Sequence, residues 1–195
     1  MEQQDFSAKQ SLQLIESMIG QAQNRLNENG HLYLLWGWVI FLCSVISFVS
    51  VHFFEQLKYL NQIWLLTLPT ALYQMIYMAR HKKQRKVTTY TDEISTYVWI
   101  VFVIMGGLSA WIIGKSGFQQ LFNPVILMLY GMPTFLSGVL LRFAPLRYGA
   151  VVCWILAAVS MLLAPSYSFL LLALAVVAAW IVPGYLLRLR FNHQK

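Results

Sequence analysis

Six long stretches contain no Asp, Glu, Lys or Arg, and nothing else in the chain constrains its fold as tightly. They run over 32–54, 60–79, 94–114, 124–141, 148–164 and 169–187. At about 1.5 Å of helical rise for each position, such a stretch reaches across a hydrocarbon core of about 30 Å, the shortest ones only just. They predict an all-α, polytopic membrane protein with six spans. Composition agrees: 58% of the chain is hydrophobic and 11% charged, against about 25% charged in soluble domains. So few charges cannot cover a soluble core of this size.

The basic residues are distributed unevenly. With both ends placed on the cytoplasmic side, that side holds twelve: Lys9, Arg25, Arg80, Lys82, Lys83, Arg85, Lys86, Arg142, Arg147, Arg188, Arg190 and Lys195. The other side holds Lys58 and Lys115. Twelve against two is a strong positive-inside bias. It favours an even number of spans, because one span more or fewer would scatter the basic residues over both faces. The run "RHKKQRK", Arg80 to Lys86, then reads as a cytoplasmic turn that holds orientation. It is also a candidate contact for anionic lipid headgroups, at about 1 kcal/mol per charge. No aromatic platform or reading helix accompanies it, so nucleic acid is not the expected partner.

Positions 1–30 form a separate region, ahead of a bundle over 31–195. They are polar and amphipathic, with no short apolar core or small-residue cleavage site, so they do not read as a cleaved signal peptide. Ser7 and Gln10 fit a capping box. Leu12, Ile15, Met18, Ile19, Ala22 and Leu26 make one apolar stripe, and Asn29-Gly30 supplies a stop. Glu2, Asp5, Glu16 and Glu28 against Lys9 and Arg25 give this segment a net charge of −2. Membrane-surface helices are usually rich in Lys or Arg. Docking on protein is therefore a fair alternative to lying in lipid, and the stripe is a candidate contact for a partner or a second copy.

Laid over itself, the sequence aligns 32–79 with 96–143 without a gap. Ten positions are identical: 33, 39, 40, 54, 56, 57, 65, 69, 70 and 72. Pro69-Thr70 meets Pro133-Thr134, and "FEQL" meets "FQQL". This predicts a duplicated helical hairpin, with 148–187 as a more distant third copy. Hairpins in one orientation are related by an axis along the membrane normal. Pro69 and Pro133 are expected to bend their helices. Pro183, near the inner end, is expected to end one.

Catalytic chemistry has little to stand on. Cys43 and Cys153 lie in apolar runs without companions, no two histidines share a span at ligand spacing, and no nucleophile or phosphate motif is present. Asp92, Glu93, Glu55 and His52 fall at span ends. The expectation is a non-enzymatic protein without cofactor or metal. Gln74 is the most polar mid-span side chain and needs a partner in a dry site; with Thr70 and Thr134 it is also a candidate solute path. Gly106, Ala110 and Gly114 form a small-residue face on the third span that lets another helix approach closely. Trp36, Trp38, Trp64 and Trp111 fit interfacial belts.

The opening "SLQLIESMIGQAQNRLNENGHLYLLWGW" resembles that of an uncharacterised family of small multi-span inner-membrane proteins of Bacteroidota. Leu12, Ile15, Met18 and Ile19 match its amphipathic start, and Trp36-Gly37 its first span. The resemblance covers positions 1–40, and the rest by span pattern only. It implies a six-span bacterial inner-membrane protein and no activity. Two functional expectations follow from the whole sequence. One is an assembly or partner-binding membrane module; the other is a transporter or channel for a neutral or lipidic solute.

Overall fold

The structure is a computed structural model that describes residues 30–53, 58–84 and 90–192. The amphipathic stripe from Leu12 to Leu26, together with Arg85 and Lys86, lies outside the described residues. Every regular element among the described residues is helical. α1 runs over Gly30–Phe53. A 3-10 segment, Lys58–Leu66, leads into α2, Thr67–Gln84. α3 is Tyr90–Ser116, α4 is Phe122–Leu140 and α5 is Ala144–Ser160. The last rod is continuous: α6 (Ser168–Val176), a π-helical turn (Val177–Ile181) and α7 (Val182–Asn192).

Among the described residues these elements make six rods, of which four are long and apolar enough to cross a membrane: Gly30–Phe53, Glu93–Ser116, Gln119–Leu140 and Pro165–Arg190. α5 is apolar but only 17 residues long. The second rod changes helix type partway, and its α-helical part carries the basic residues Arg80, Lys82 and Lys83 at its end.

Proline accounts for two departures from the sequence reading. Pro69, expected to bend a helix midway, sits instead at the third position of α2, just after the 3-10 segment ends. Proline has no N–H, so the Leu65 carbonyl has no donor four residues on, and the preceding turns wind to i+3 bonds instead. Pro183, expected to end the last span, lies in a helix that runs through it to Asn192. Here the ladder steps to i+5, with the Val182 N–H donating to the Val177 carbonyl. The π turn takes up the register that the missing donor would break. Pro133 lies inside an unbroken α4, where the Thr134 hydroxyl donates to the Tyr130 carbonyl at 2.7 Å.

The turn after α4 is shorter than the sequence suggests. Pro145 sits in the first turn of α5, which therefore starts at Ala144 instead of Tyr148. Only Leu141 to Phe143 separate the two helices. Phe143 N–H donates to Gly138 O at 2.9 Å and Arg142 N–H to Val139 O at 3.1 Å. This is the paired bonding of a Schellman cap. Arg142 takes the left-handed position at φ 49°, where glycine is usual, so a basic residue is kept there at some backbone strain.

The core lies where α1, α4, α5 and the last rod meet. α4 packs most extensively on α5, and α5 in turn on α6 and the π turn. α3 covers one side of α4. α2 lies along α1, with Leu68, Leu72, Met75 and Ile76 facing outward.

Candidate functional site

The centre of the bundle is an aromatic cluster with one polar thread through it. Trp180, in the π turn, lies 4.8 Å from Tyr130 of α4 and 6.3 Å from Trp99 of α3, ring centre to ring centre. Tyr33 of α1 meets Trp99 at 6.3 Å, and Phe102 meets Tyr130 at 5.6 Å. These five rings join four rods. The thread is a relay of hydrogen bonds. Trp180 Nε1–H donates to Thr134 Oγ1 at 2.9 Å, and that hydroxyl donates to the Tyr130 carbonyl. Thr134, a candidate solute contact by sequence, is fully buried and both its roles are structural. The buried Ser137 hydroxyl makes no well-formed hydrogen bond among the described residues, and neither does that of Ser44.

Small residues let the rods approach this centre. A Cβ on Gly37 would stand 2.8 Å from Ile181 Cγ1, and one on Gly30 would stand 3.3 Å from the Gly184 carbonyl oxygen. Gly30, Gly37 and the buried Ser44 recur at heptad spacing, which keeps them on one face of α1. On α5, a Cβ at Gly149 would lie 2.6 Å from both the Ala178 carbonyl oxygen and the Ala179 Cα. The heptad of small residues was legible in the sequence but was missed there. The Gly149 contact was not legible, because it depends on the π turn.

α1 is held to the second rod, both its 3-10 segment and α2, by polar bonds. Trp36 Nε1–H donates to Gln74 Oε1, and Trp64 Nε1–H donates to Ser47 Oγ at 3.0 Å. Cys43 Sγ reaches the Ile63 carbonyl at 3.5 Å. Trp36 and Trp64, belt residues by sequence, are therefore also interhelical locks, and Gln74 has the partner its depth requires. The Thr70 hydroxyl donates to Leu66 O at 2.7 Å, the same i−4 bond that Thr134 makes to Tyr130 on α4. Thr70 and Gln74 lie one turn apart on α2, whereas Thr134 stands in the central cluster on α4. The three do not converge on one lumen. A shallow outer depression lined by Gln62, Trp64, Leu65, Thr67 and Leu68 is open to the surroundings.

Among the described residues, the small-residue face of α3 is left uncovered. Gly106, Gly107 and Gly114 have no neighbouring atom within 4 Å of an added Cβ, and Ala110 is exposed. Only 6% of the apolar window of α3 is buried inside the bundle, against 61% for the last rod. Gly106, Ala110 and Gly114 thus do not serve packing among the described residues. Of the basic run, Arg80 is exposed, and Lys82 and Lys83 fall on the last turn of α2.

The chain matches no protein-family model, no curated protein and no solved structure.

Proposed function

We propose that this chain is a six-span protein of a bacterial cytoplasmic membrane, with both ends inside, that works without catalysis by assembling with further copies of itself through α3. The observation that carries this reading is the open face at Gly106, Ala110 and Gly114, on a helix that the bundle barely covers. Copies inserted in one orientation present α3 to one another in parallel. A small-xxx-small face is self-complementary in that geometry, since two backbones can close on it with a right-handed crossing.

The six-span topology draws support from lengths. The 3-10 helix from Leu60 to Leu66, at about 2.0 Å per position, and the α-helix on to Ala79 together give about 33 Å. α5, at about 25 Å, is short for a hydrocarbon core of about 30 Å, and local thinning at a fraction of a kcal/mol per Å accommodates it. The duplication of the first two hairpins draws support from the matching bonds of Thr70 and Thr134. The resemblance to the Bacteroidota family supplies the bacterial setting.

The test is the assembly size of the full chain in mild detergent, read by native mass spectrometry. Gly106→Leu with Gly114→Leu should leave the monomer as stable as before, because nothing among the described residues stands within 4 Å of either site, and should reduce the assembly to monomers. An unchanged assembly size in that variant contradicts the proposal. Deleting positions 1–28 asks separately whether the amphipathic segment contributes.

A further inference from the structure

We propose that His31, Tyr73, Tyr77 and Arg80 form a binding site for the phosphate of an anionic phospholipid, on the surface where the first turn of α1 packs beside the basic end of α2. The proposal rests on the reading of the Arg80–Lys86 end as the side that faces anionic lipid.

The residues are brought together by the two helices. His31 lies in the first turn of α1, and its Nε2 stands 3.5 Å from the Tyr73 hydroxyl. Its ring lies 5.4 Å from that of Tyr77 and 6.5 Å from that of Tyr73, centre to centre. Tyr73 and Tyr77 stack at 6.1 Å with an interplanar angle of 27°. Tyr73, Tyr77 and Arg80 follow at steps of four and three, which puts them on one face of an α-helix. The Trp36–Gln74 bond fixes the two helices against each other beside this group, so the donors are held by the scaffold and need little ordering when a ligand arrives.

Each part has a role in holding a phosphate diester. Imidazole and phenol groups donate hydrogen bonds to its oxygens. A guanidinium pairs with it in a forked, charge-assisted geometry. Tyrosine rings suit the depth where acyl chain gives way to headgroup, with an apolar body and a polar tip. Tyr73 is 47% exposed and Arg80 is exposed, so the group is open to lipid on its outer side. A soluble phosphate lacks the acyl chains that would lie along the exposed Leu72 and Ile76 of α2, so the site selects the lipid over the free ion.

The experiment places the full chain in nanodiscs of equal parts phosphatidylglycerol and phosphatidylethanolamine and counts retained lipids by native mass spectrometry. The unmodified chain should retain phosphatidylglycerol preferentially. Tyr73→Phe with Tyr77→Phe keeps both rings and removes both hydroxyls; the preference should fall about tenfold, the equivalent of one charge-assisted hydrogen bond. Tyr97→Phe, on the exposed side of α3, should change nothing. A full preference in the double variant overturns the site and leaves only the general field of the basic turn. Displacement of phosphatidylglycerol by excess inorganic phosphate overturns the choice of lipid as occupant. Thermal stabilisation of the unmodified chain by phosphatidylglycerol over phosphatidylethanolamine is read in parallel, and its absence also overturns the site. Both leaflets of the nanodisc have one composition, so the outcome does not depend on orientation, and a failure here is separate from a failure of the topology.

Discussion

Replacing Gly149 by alanine should destabilise the bundle by about 3 kcal/mol, the upper part of the usual range for overpacking. The added methyl would sit 2.6 Å from the Ala178 carbonyl oxygen and equally close to the Ala179 Cα. Both are backbone atoms of the π turn, so no rotamer change can relieve the contact. α5 would have to move off the last rod, and its extensive contacts with α4, α6 and the π turn would loosen together. Gly131→Ala provides the comparison. Its methyl would meet the Trp154 ring, a side chain that can turn aside after giving up its 3.2 Å bond to the Met128 carbonyl. The cost there should be smaller. Equilibrium unfolding in mixed detergent micelles measures both, and equal stability of the Gly149 variant and the parent would remove the close approach of α5 to the π turn.

The second large effect is expected at Trp180. Trp180→Ala should cost about 3 kcal/mol, the lower end of the range for deleting a large buried aromatic. The lower end applies because side chains leaving this core enter lipid instead of water, so the transfer part of the penalty shrinks while the cavity part remains. The cavity would open between Tyr130 at 4.8 Å and Trp99 at 6.3 Å, where α3, α4 and the last rod meet. Trp180→Phe keeps the six-membered ring and loses the N–H bond to Thr134, worth about 1 kcal/mol, together with some ring packing. Combined with Thr134→Val, it should show a coupling of about 1 kcal/mol, because each single change already breaks the same bond. Additive costs in that cycle would mean that the 2.9 Å bond contributes nothing.

Both effects centre on the π turn, and that is where the sequence was least legible. The all-helical fold and the approximate positions of the rods were legible in the charge-free runs, because long uninterrupted apolar stretches favour helices. Gln74 was expected to need a partner, and it has one in Trp36. What periodicity could not give was how each proline is accommodated. Pro69, Pro133 and Pro183 each remove one donor, yet they are accommodated by a 3-10 segment, by an unbroken α-helix and by a π turn. The choice depends on neighbours in space: Trp180 reaching Thr134, and Gly149 making room for the carbonyl of Ala178. The tryptophans misled in a similar way. Trp111 and Trp38 are exposed, but Trp36 and Trp64 bond to partners on another helix that a one-dimensional reading does not see.

The candidate sites divide along the same line. Gly106, Ala110 and Gly114 were legible as a face because helical spacing is enough to define one, and the uncovered surface of α3 then separates packing within the bundle from contact outside it. The group of His31 with Tyr73 and Tyr77 was not legible, since it joins residues far apart in the chain across two antiparallel helices.

Single cysteines placed at the turns decide whether six rods cross the membrane with the basic turns on one side. Cys43 and Cys153 are fully buried, so background labelling in intact spheroplasts should be low. Arg80→Cys and Arg142→Cys should stay unlabelled by an impermeant maleimide added outside until the membrane is opened, and Lys115→Cys should be labelled at once. Labelling of Arg80→Cys or Arg142→Cys from outside, or protection of Lys115→Cys, would contradict the six-span arrangement and its sidedness.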